Sequence, residues 1–386
     1  MAPSWCLRPK PAPGAVLNFP KGSARESNRY NDNKDAAPGQ KPPRYECLRV
    51  SAEPVQLPSQ LIDRFGRQVT YVRLSVTDRC DLRCVYCMAE DMEFLPRSQL
   101  LTLEELARLG RCFSELGVVK LRITGGEPLV RRNVIWLFRE LGALAGIRDL
   151  TLTTNGTQLA RYACDLKEAG VTRINVSLDS LRQDRFRAIT RLGAIDKTLA
   201  GIDAALAAGF RRVKLNSVIL KNRNHDEVLD LVRFAMDRGM DISFIEEMPL
   251  GVVGEHHRAE AYYPSDQIRR DLAARFELIP TTESTGGPSR YYRIASEASR
   301  IGFISPRSHN FCGDCNRVRV TAEGRLLLCL GQEHSADLRH ALRANPGDDD
   351  AVKRAIAAAI ATKPRGHDFN LTAKPVIVRH MSATGG

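Results

Sequence analysis

Residues 69–88 read VTYVRLSVTDRCDLRCVYCM. The first part of this run is rich in β-branched residues and alternates apolar with polar side chains, the period-two pattern of a half-buried strand. Val72, Leu74 and Val76 share one face, and Arg73, Ser75 and Thr77 share the other. Cys80, Cys84 and Cys87 follow at once, in the spacing C-x3-C-x2-C. Three thiols on one loop are one short of a closed tetrahedral zinc shell and one more than a disulfide needs. Parallel α/β folds keep their chemistry at the C-terminal ends of their strands, which is where this loop begins.

Five further segments read as strands: 120–124, 149–154, 172–178, 213–219 and 241–247. Helix-period stretches at 102–116, 132–145, 158–169, 196–208 and 225–238 lie between them. Six β-α units in series predict a barrel or partial barrel, with an open doubly wound sheet as the alternative. The strands repeat the two-faced pattern. Leu121 and Ile123 oppose Arg122 and Thr124, and Leu150 and Leu152 oppose Thr151 and Thr153. Ile174, Val176 and Leu178 oppose Arg173, Asn175 and Ser177, while Val213 and Leu215 oppose Lys214 and Asn216. An empty barrel fills its centre with branched apolar side chains. Buried Arg, Lys, Thr and Asn need partners instead, and a polar, cationic ligand chamber supplies them. An antiparallel sheet with one wet face gives the same alternation, but the intervening helices argue for parallel strands.

The chain has 386 residues, 43% hydrophobic and 26% charged, enough for more than one domain. No apolar run reaches the length of a membrane span. Residues 1–56 are rich in Pro, Gly, Asn, Lys and Arg and read as a flexible arm. The arm has no apolar secretory core; its first 25 residues lack acids, as transit peptides do. The expectation is a cytoplasmic protein, with the mitochondrial matrix as the alternative. Residues 57–285 would form the barrel, and 286–386 a C-terminal domain with short strands in 289–330, a helix at 349–361 and a Gly385-Gly386 end. The net charge of +12 suits a polyanionic ligand or loose nucleic-acid affinity. With aromatics at only 6%, a basic and aromatic nucleic-acid stripe is disfavoured.

Six of the ten cysteines fall in two triplets. The second, FCGDCNRVRVTAEGRLLLC at 311–329, holds Cys312, Cys315 and Cys329. Clustered thiols in a chain without an export signal point to metal or catalysis. Four thiolates complete the usual shell of a [4Fe–4S] cluster, so three leave one iron open. Zinc is the rival reading. The first triplet has no histidine nearby, since the first in the chain is His225, whereas the second could take His309 or His334.

With Tyr86 before its last cysteine, the first triplet resembles the radical S-adenosylmethionine superfamily, and TGGEP at 124–128 resembles that superfamily's GGE motif. RLSVTDRC, LRITGGEPL, TLTTNG, VSLDS, VKLNSV, FIEEMP and FCGDCNRVRVT, in that order from about residue 60 to the C-terminus, resemble the GTP 3',8-cyclase family within it. The resemblance implies a partial (β/α)6 TIM-type barrel of the radical SAM kind, with a C-terminal extension carrying a second Fe–S cluster. It implies two [4Fe–4S] clusters, on Cys80, Cys84 and Cys87 and on Cys312, Cys315 and Cys329. Tyr86 (through its backbone), Gly126, Ser177 and Met248 would hold S-adenosylmethionine. Arg73, Arg122, Thr153, Lys214, Arg317, Val318 and Arg319 would hold GTP, whose guanine would face the second cluster. Arg317, Arg319, Gly385 and Gly386 would carry catalytic roles.

The implied reaction is a lyase step of molybdenum cofactor biosynthesis. A 5'-deoxyadenosyl radical takes hydrogen from C3' of the GTP ribose, and C3' then bonds to C8 of guanine. The resemblance also implies an external electron donor and a homodimer, with neither nucleic acid nor membrane as partner. A radical enzyme that modifies peptides and carries an auxiliary cluster is the alternative. Two residues depart from the family pattern: Asp81, where Asn is frequent, and Thr384, where an aliphatic residue is common.

Overall fold

The computed structural model describes residues 57–385, except 252, 254, 255, 296, 368 and 370–378. The expected arm, 1–56, and Gly386 lie outside the described residues. Six strands run in parallel and pair in chain order: β1 (Tyr71–Ser75), β2 (Lys120–Thr124), β3 (Asp149–Thr154), β4 (Arg173–Ser177), β5 (Val213–Val218) and β6 (Asp241–Ile245). The C-terminal part adds β7 (Leu278–Pro280), β8 (Arg290–Ile294), β9 (Arg300–Ile304), β10 (Arg317–Val320), β11 (Arg325–Leu327) and β12 (Ser335–Asp337). These extend both edges of the same sheet. β9 lies parallel beside β6 and carries β8 and β7, while β10 lies parallel beside β1 and carries β11 and β12.

The helices are α1 (Leu103–Glu115), α2 (Val134–Gly142), α3 (Leu159–Glu168), α4 (Gln183–Thr190), α5 (Ile195–Ala207), α6 (Val228–Asp237), α7 (Arg258–Ala261), α8 (Ser265–Ala273), α9 (Leu338–Ala344), α10 (Asp349–Ala361) and α11 (Met381–Thr384). Among the described residues, no helix is long and apolar enough to cross a membrane. Local sequence explains the helix starts. Thr102 accepts from the Glu105 amide while the Glu105 side chain accepts from the Thr102 amide, closing a capping box on α1. Asp337 and Asp348 cap α9 and α10 in the simpler way.

The apolar strand faces pack against the helices. Val72, Leu74, Leu121, Ile123, Leu152, Ile174, Val176 and Leu215 are fully buried in one core with Leu106, Phe113, Phe138 and Leu166 of the helices. The strand segments expected from alternation are all present, trimmed by one to two residues at some ends. α4 is absent from the sequence reading. Only Phe186 and Ile189 of its residues are apolar and buried large side chains, too few to set a helical period over eight positions.

Leu74 is fully buried at the centre of this core. Leu74→Ala is expected to cost about 2–5 kcal/mol, read as a lower midpoint in chemical denaturation with the slope unchanged.

Candidate functional site

The first cysteine loop is fastened to the end of α4. The Arg83 amide donates to the Thr190 carbonyl (2.9 Å) and the Val85 amide to the Ile189 carbonyl (3.0 Å). Inside the loop, the Cys87 amide closes a turn onto the Cys84 carbonyl (2.9 Å). The Leu82 amide points at Cys80 Sγ (3.4 Å), and Asn155 Nδ2 lies 3.8 Å from the same sulfur. Asp81 now has a role. Its carboxylate accepts from Asn155 Nδ2 (2.7 Å) and from the Thr157 hydroxyl (2.6 Å), tying the loop to the segment after β3.

Burial pushes all three thiols upward: Cys80 and Cys84 far above the ordinary range, and Cys87 to about 12. Thiolates there need a nearby positive charge, which a bound metal cluster provides. Tyr86 donates its hydroxyl to Asp179 Oδ2 (2.7 Å). Burial raises that carboxyl to about 6, although the bonds from Tyr86 and the Val218 amide pull it down.

The glycines of TGGEP are required by close approach. A Cβ on Gly126 would lie 2.4 Å from the Arg79 carbonyl oxygen, so the backbone after β2 runs directly against the cysteine loop. Glu127 is fully buried beneath and accepts from the Leu129 amide (3.0 Å), the Thr154 hydroxyl (2.8 Å) and the Asn155 amide (2.7 Å).

The second triplet brackets β10 and β11. Cys312 and Cys315 precede β10, and Cys329 follows β11. Two cations fasten it. Arg67 donates to the carbonyls of Cys312 (2.6 Å), Pro364 (2.6 Å) and Arg365 (2.7 Å), and its Nε pairs with Asp63 (2.7 Å). Lys363, only 1% exposed, points its ammonium at Cys315 Sγ (3.7 Å) and donates to the Leu328 carbonyl (2.7 Å). His309, one of the two candidate zinc histidines, faces Asp266 instead (3.1 Å). The cysteines of both triplets are free. Among the described residues, no group of three His, Cys, Asp or Glu side chains surrounds a site for a single metal ion.

All six cysteines line one cavity of about 290 Å³ on the inner face of the sheet. So do Tyr86, Gly126, Ser177 and Met248, and so do Arg73, Arg122, Thr153, Lys214, Arg317, Val318 and Arg319. Parallel pairing sets Arg319, Arg73 and Arg122 side by side on β10, β1 and β2. Neighbouring strands lie only about 4.8 Å apart. Two residues earlier in the strands, Arg317, Tyr71 and Lys120 form the adjoining row on the same face.

Three guanidinium groups so close repel one another. Burial, then the charges of Arg73 and Arg317, push Arg319 far below its ordinary value. Burial opposes ionisation of Tyr71, but Arg122, Arg73, Lys120 and Arg317 overcome it and bring that phenol down to about 7. Arg122 Nε accepts no proton and donates to the Tyr71 hydroxyl oxygen (2.6 Å), and its NH1 donates to the Thr153 hydroxyl (3.0 Å). The carboxylates nearest the arginine row already have other partners. Asp149 pairs with Lys120 (2.9 Å) and Glu247 with Arg258 (3.0 Å), while Glu246 accepts from the Ser265 amide (2.9 Å). Among the described residues, Arg122, Arg319 and Lys214 have no carboxylate within ion-pair distance.

The C-terminal tail enters this chamber. Arg319 donates to the carbonyls of Thr384 (3.5 Å) and Gly385. Gly385 has φ +75°, and a Cβ there would sit 2.2 Å from Thr124 Oγ1, so only glycine fits. Thr384 is buried and returns its hydroxyl to the Met381 carbonyl (2.9 Å), which accounts for a polar residue at that position.

The expected site residues among those described therefore converge on one place. Tyr71, Lys120, Arg173, Asn175 and Asn216 line the same cavity without having been singled out as ligand positions. The strand alternation that marks Arg73 and Arg122 marks them too. Among the described residues, the Asn175 and Asn216 carbonyl oxygens are buried without a donor. Lys363 and Arg67 carried no such signal, because both act from segments remote in sequence from the cysteine-bearing segment they hold.

The Radical SAM superfamily matches residues 74–235, and Molybdenum Cofactor Synthesis C matches residues 240–369. A GTP 3',8-cyclase of Saccharophagus degradans is 60% identical over 328 residues, 85% of this chain and 99% of that protein. A GTP 3',8-cyclase of Pseudomonas entomophila is 58% identical over 330 residues, again 85% and 99%. Among solved structures, Streptococcus suis SuiB bound to S-adenosylmethionine aligns with a TM-score of 0.54 at 15% identity, over 75% of this chain and 69% of that one, a likeness of fold. With a cationic chamber between two cysteine triplets and this identity over nearly the whole length of its relatives, the chain belongs to the GTP 3',8-cyclase family of radical SAM proteins.

Proposed function

We propose that this protein converts GTP to (8S)-3',8-cyclo-7,8-dihydroguanosine 5'-triphosphate, the first step of molybdenum cofactor biosynthesis. The observation that carries the reading is the row Arg319, Arg73 and Arg122, set by strand pairing between two free cysteine triplets. Guanidinium groups stay protonated, so their mutual repulsion in a buried chamber is relieved by an anion. A triphosphate carries about four negative charges, and planar guanidinium forks match its oxygens. Lys214, Thr153, Arg317 and Val318 would complete the nucleotide's contacts, with the Asn175 and Asn216 oxygens open to ligand donors.

The thiols fit the implied clusters. All six are free, and burial alone would keep those of the first loop protonated. Cys80, Cys84 and Cys87 would hold one [4Fe–4S] cluster, and Cys312, Cys315 and Cys329 a second. When bound, the first supplies the electron that splits S-adenosylmethionine into methionine and a 5'-deoxyadenosyl radical. The chain's own part is positioning and exclusion of water. The Tyr86 backbone, Gly126, Ser177 and Met248 would seat S-adenosylmethionine beside the first triplet. Gly385, with Gly386 beyond it, would bring the tail against Arg319 and close the chamber. In this reading residues 57–285 form the radical-generating barrel and 286–386 supply the second cluster and the tail. The arm 1–56 stands outside both, and the protein works in the cytoplasm as a homodimer.

Three measurements test this. Anaerobically reconstituted protein is expected to bind about eight irons per chain, and to form 5'-deoxyadenosine with GTP but not with ATP or a peptide. Formation independent of GTP would overturn the reading. Arg319→Ala is expected to lower kcat/KM for GTP by about 100-fold or more with iron content unchanged; loss of iron would mark the residue as structural. Tyr71 is expected to ionise near pH 7, as about 7 is its value beside four cations. A 295 nm difference titration of cluster-free protein against Tyr71→Phe reads this, and a bound triphosphate should move the transition upward because it competes for the same cations.

A further inference from the structure

Arg173, Asn175 and Ser177 follow one another along the inner face of β4, and all three line the chamber. Strand pairing gives each a place in a lateral row. Arg173 pairs with Thr151, which pairs with Arg122, so it continues the arginine row. Asn175 stands between Thr153 of β3 and Lys214 of β5. Ser177 pairs with Asn216, one row nearer the C-terminal ends of the strands, where the first cysteine loop begins. Two residues of strand separate successive rows by about 6.6 Å.

The middle residue is the unsatisfied one. Asn175 is only 5% exposed, and among the described residues its side-chain oxygen is buried without a donor. Its strand neighbours are turned to other partners. The Thr153 hydroxyl accepts from Arg122 (3.0 Å), and the Lys214 ammonium donates to the hydroxyls of Ser243 (3.2 Å) and Tyr291 (3.4 Å). A buried amide oxygen with no donor is unfavourable, and native structures keep such a group where something else pairs with it. Its partner must donate a hydrogen bond. The triphosphate oxygens only accept, so they are not that partner.

Resting on the function proposed above, GTP brings donors at its ribose hydroxyls and on its guanine. The reaction chooses between them. The triphosphate, set against the arginine row, hangs from C5' of the sugar. The hydrogen that is removed sits on C3', and it must face the S-adenosylmethionine seated beside Ser177. The ribose, only a few bonds from the phosphates, therefore spans the gap between these two rows. Asn175 stands in that gap. We propose that the Asn175 side-chain oxygen accepts a hydrogen bond from a ribose hydroxyl of GTP, which makes the site selective for a ribonucleotide.

The contact does two things. A nucleotide lacking that hydroxyl leaves the buried oxygen unpaired again, and a site built to bond a hydroxyl rejects such an analogue. The bond also stops the sugar turning about its link to C5', so C3' keeps one face toward the Ser177 row. Asn216, whose side-chain oxygen is likewise buried without a donor among the described residues, pairs with Ser177 and lies outside the ribose row.

The test measures equilibrium binding of GTP, 2'-deoxy-GTP and 3'-deoxy-GTP to anaerobically reconstituted holoenzyme without S-adenosylmethionine. Wild type is expected to bind GTP at least about 10-fold more tightly than one of the two analogues, which identifies the hydroxyl. Asn175→Ala is expected to bind GTP about 10-fold more weakly and that analogue no more weakly than wild type does, so the preference falls to parity. Its iron content should match wild type. Asn175→Asp keeps an acceptor oxygen in place and covers the case in which the alanine variant does not fold. It is expected to retain the preference while binding all three nucleotides more weakly, because its charge repels the triphosphate. Equal wild-type affinity for all three nucleotides would overturn the proposal. So would an equal loss for all three in Asn175→Ala, which would mark the residue as structural or as a guanine contact, and so would parity in Asn175→Asp. Turnover is read separately: if wild-type enzyme with dithionite forms no GTP-dependent 5'-deoxyadenosine, it is the cyclase reading that fails.

Discussion

Backbone hydrogen bonds between β1 and β10 place Arg73 beside Arg319 and Tyr71 beside Arg317. Because β10 begins two residues after Cys315, the same pairing delivers the second cysteine triplet to the chamber that the first already borders. The chain from 317 onward could have formed a separate small sheet. By adding to the open edge of the barrel instead, it puts residues more than two hundred positions apart into one register. Parallel pairing allows no half-measures here, since a slip of one residue would turn Arg317 and Arg319 into the helices and Val318 and Val320 into the chamber.

This arrangement concentrates positive charge where desolvation makes it costly. The protein partly meets that cost from within. Tyr71 lies among four cations with its phenol brought down toward neutrality, and Lys120 and Arg173 share Asp149. Arg319 finds carbonyl oxygens on the tail. None of these supplies the charge a polyphosphate would. The chamber is therefore preorganised for an anion, with the electrostatic strain held in place by a fully packed apolar layer behind the strands.

Much of this is legible in the amino-acid sequence. Alternation along 69–77, 120–124, 149–154, 172–178 and 213–219 separated the core-facing residues from the chamber-facing ones, because a strand's period is two regardless of its context. The cysteine spacings and the short motifs around them carried the family. Other features lay beyond reach. α4 holds too few apolar residues to declare a helix, yet its end anchors the first cysteine loop. Asp81 reads as an unexplained departure until Asn155 and Thr157, brought from the next strand but one, are seen to donate to it. Thr384 reads as a misplaced polar residue until its hydroxyl is seen to return to the Met381 carbonyl.

By itself, then, the sequence determined which residues face inward, which loops carry thiols and which family the chain belongs to. Those properties follow from local periodicity and from spacing along the chain. Only the tertiary structure decided that the two triplets share one chamber, that three arginines stand in one row, and that Lys363 and Arg67 hold the second triplet from distant segments. These are contacts between segments remote in sequence, settled by which sheet edges pair and which faces must be buried together. No local pattern encodes that outcome, because it depends on the whole chain's closure around its core.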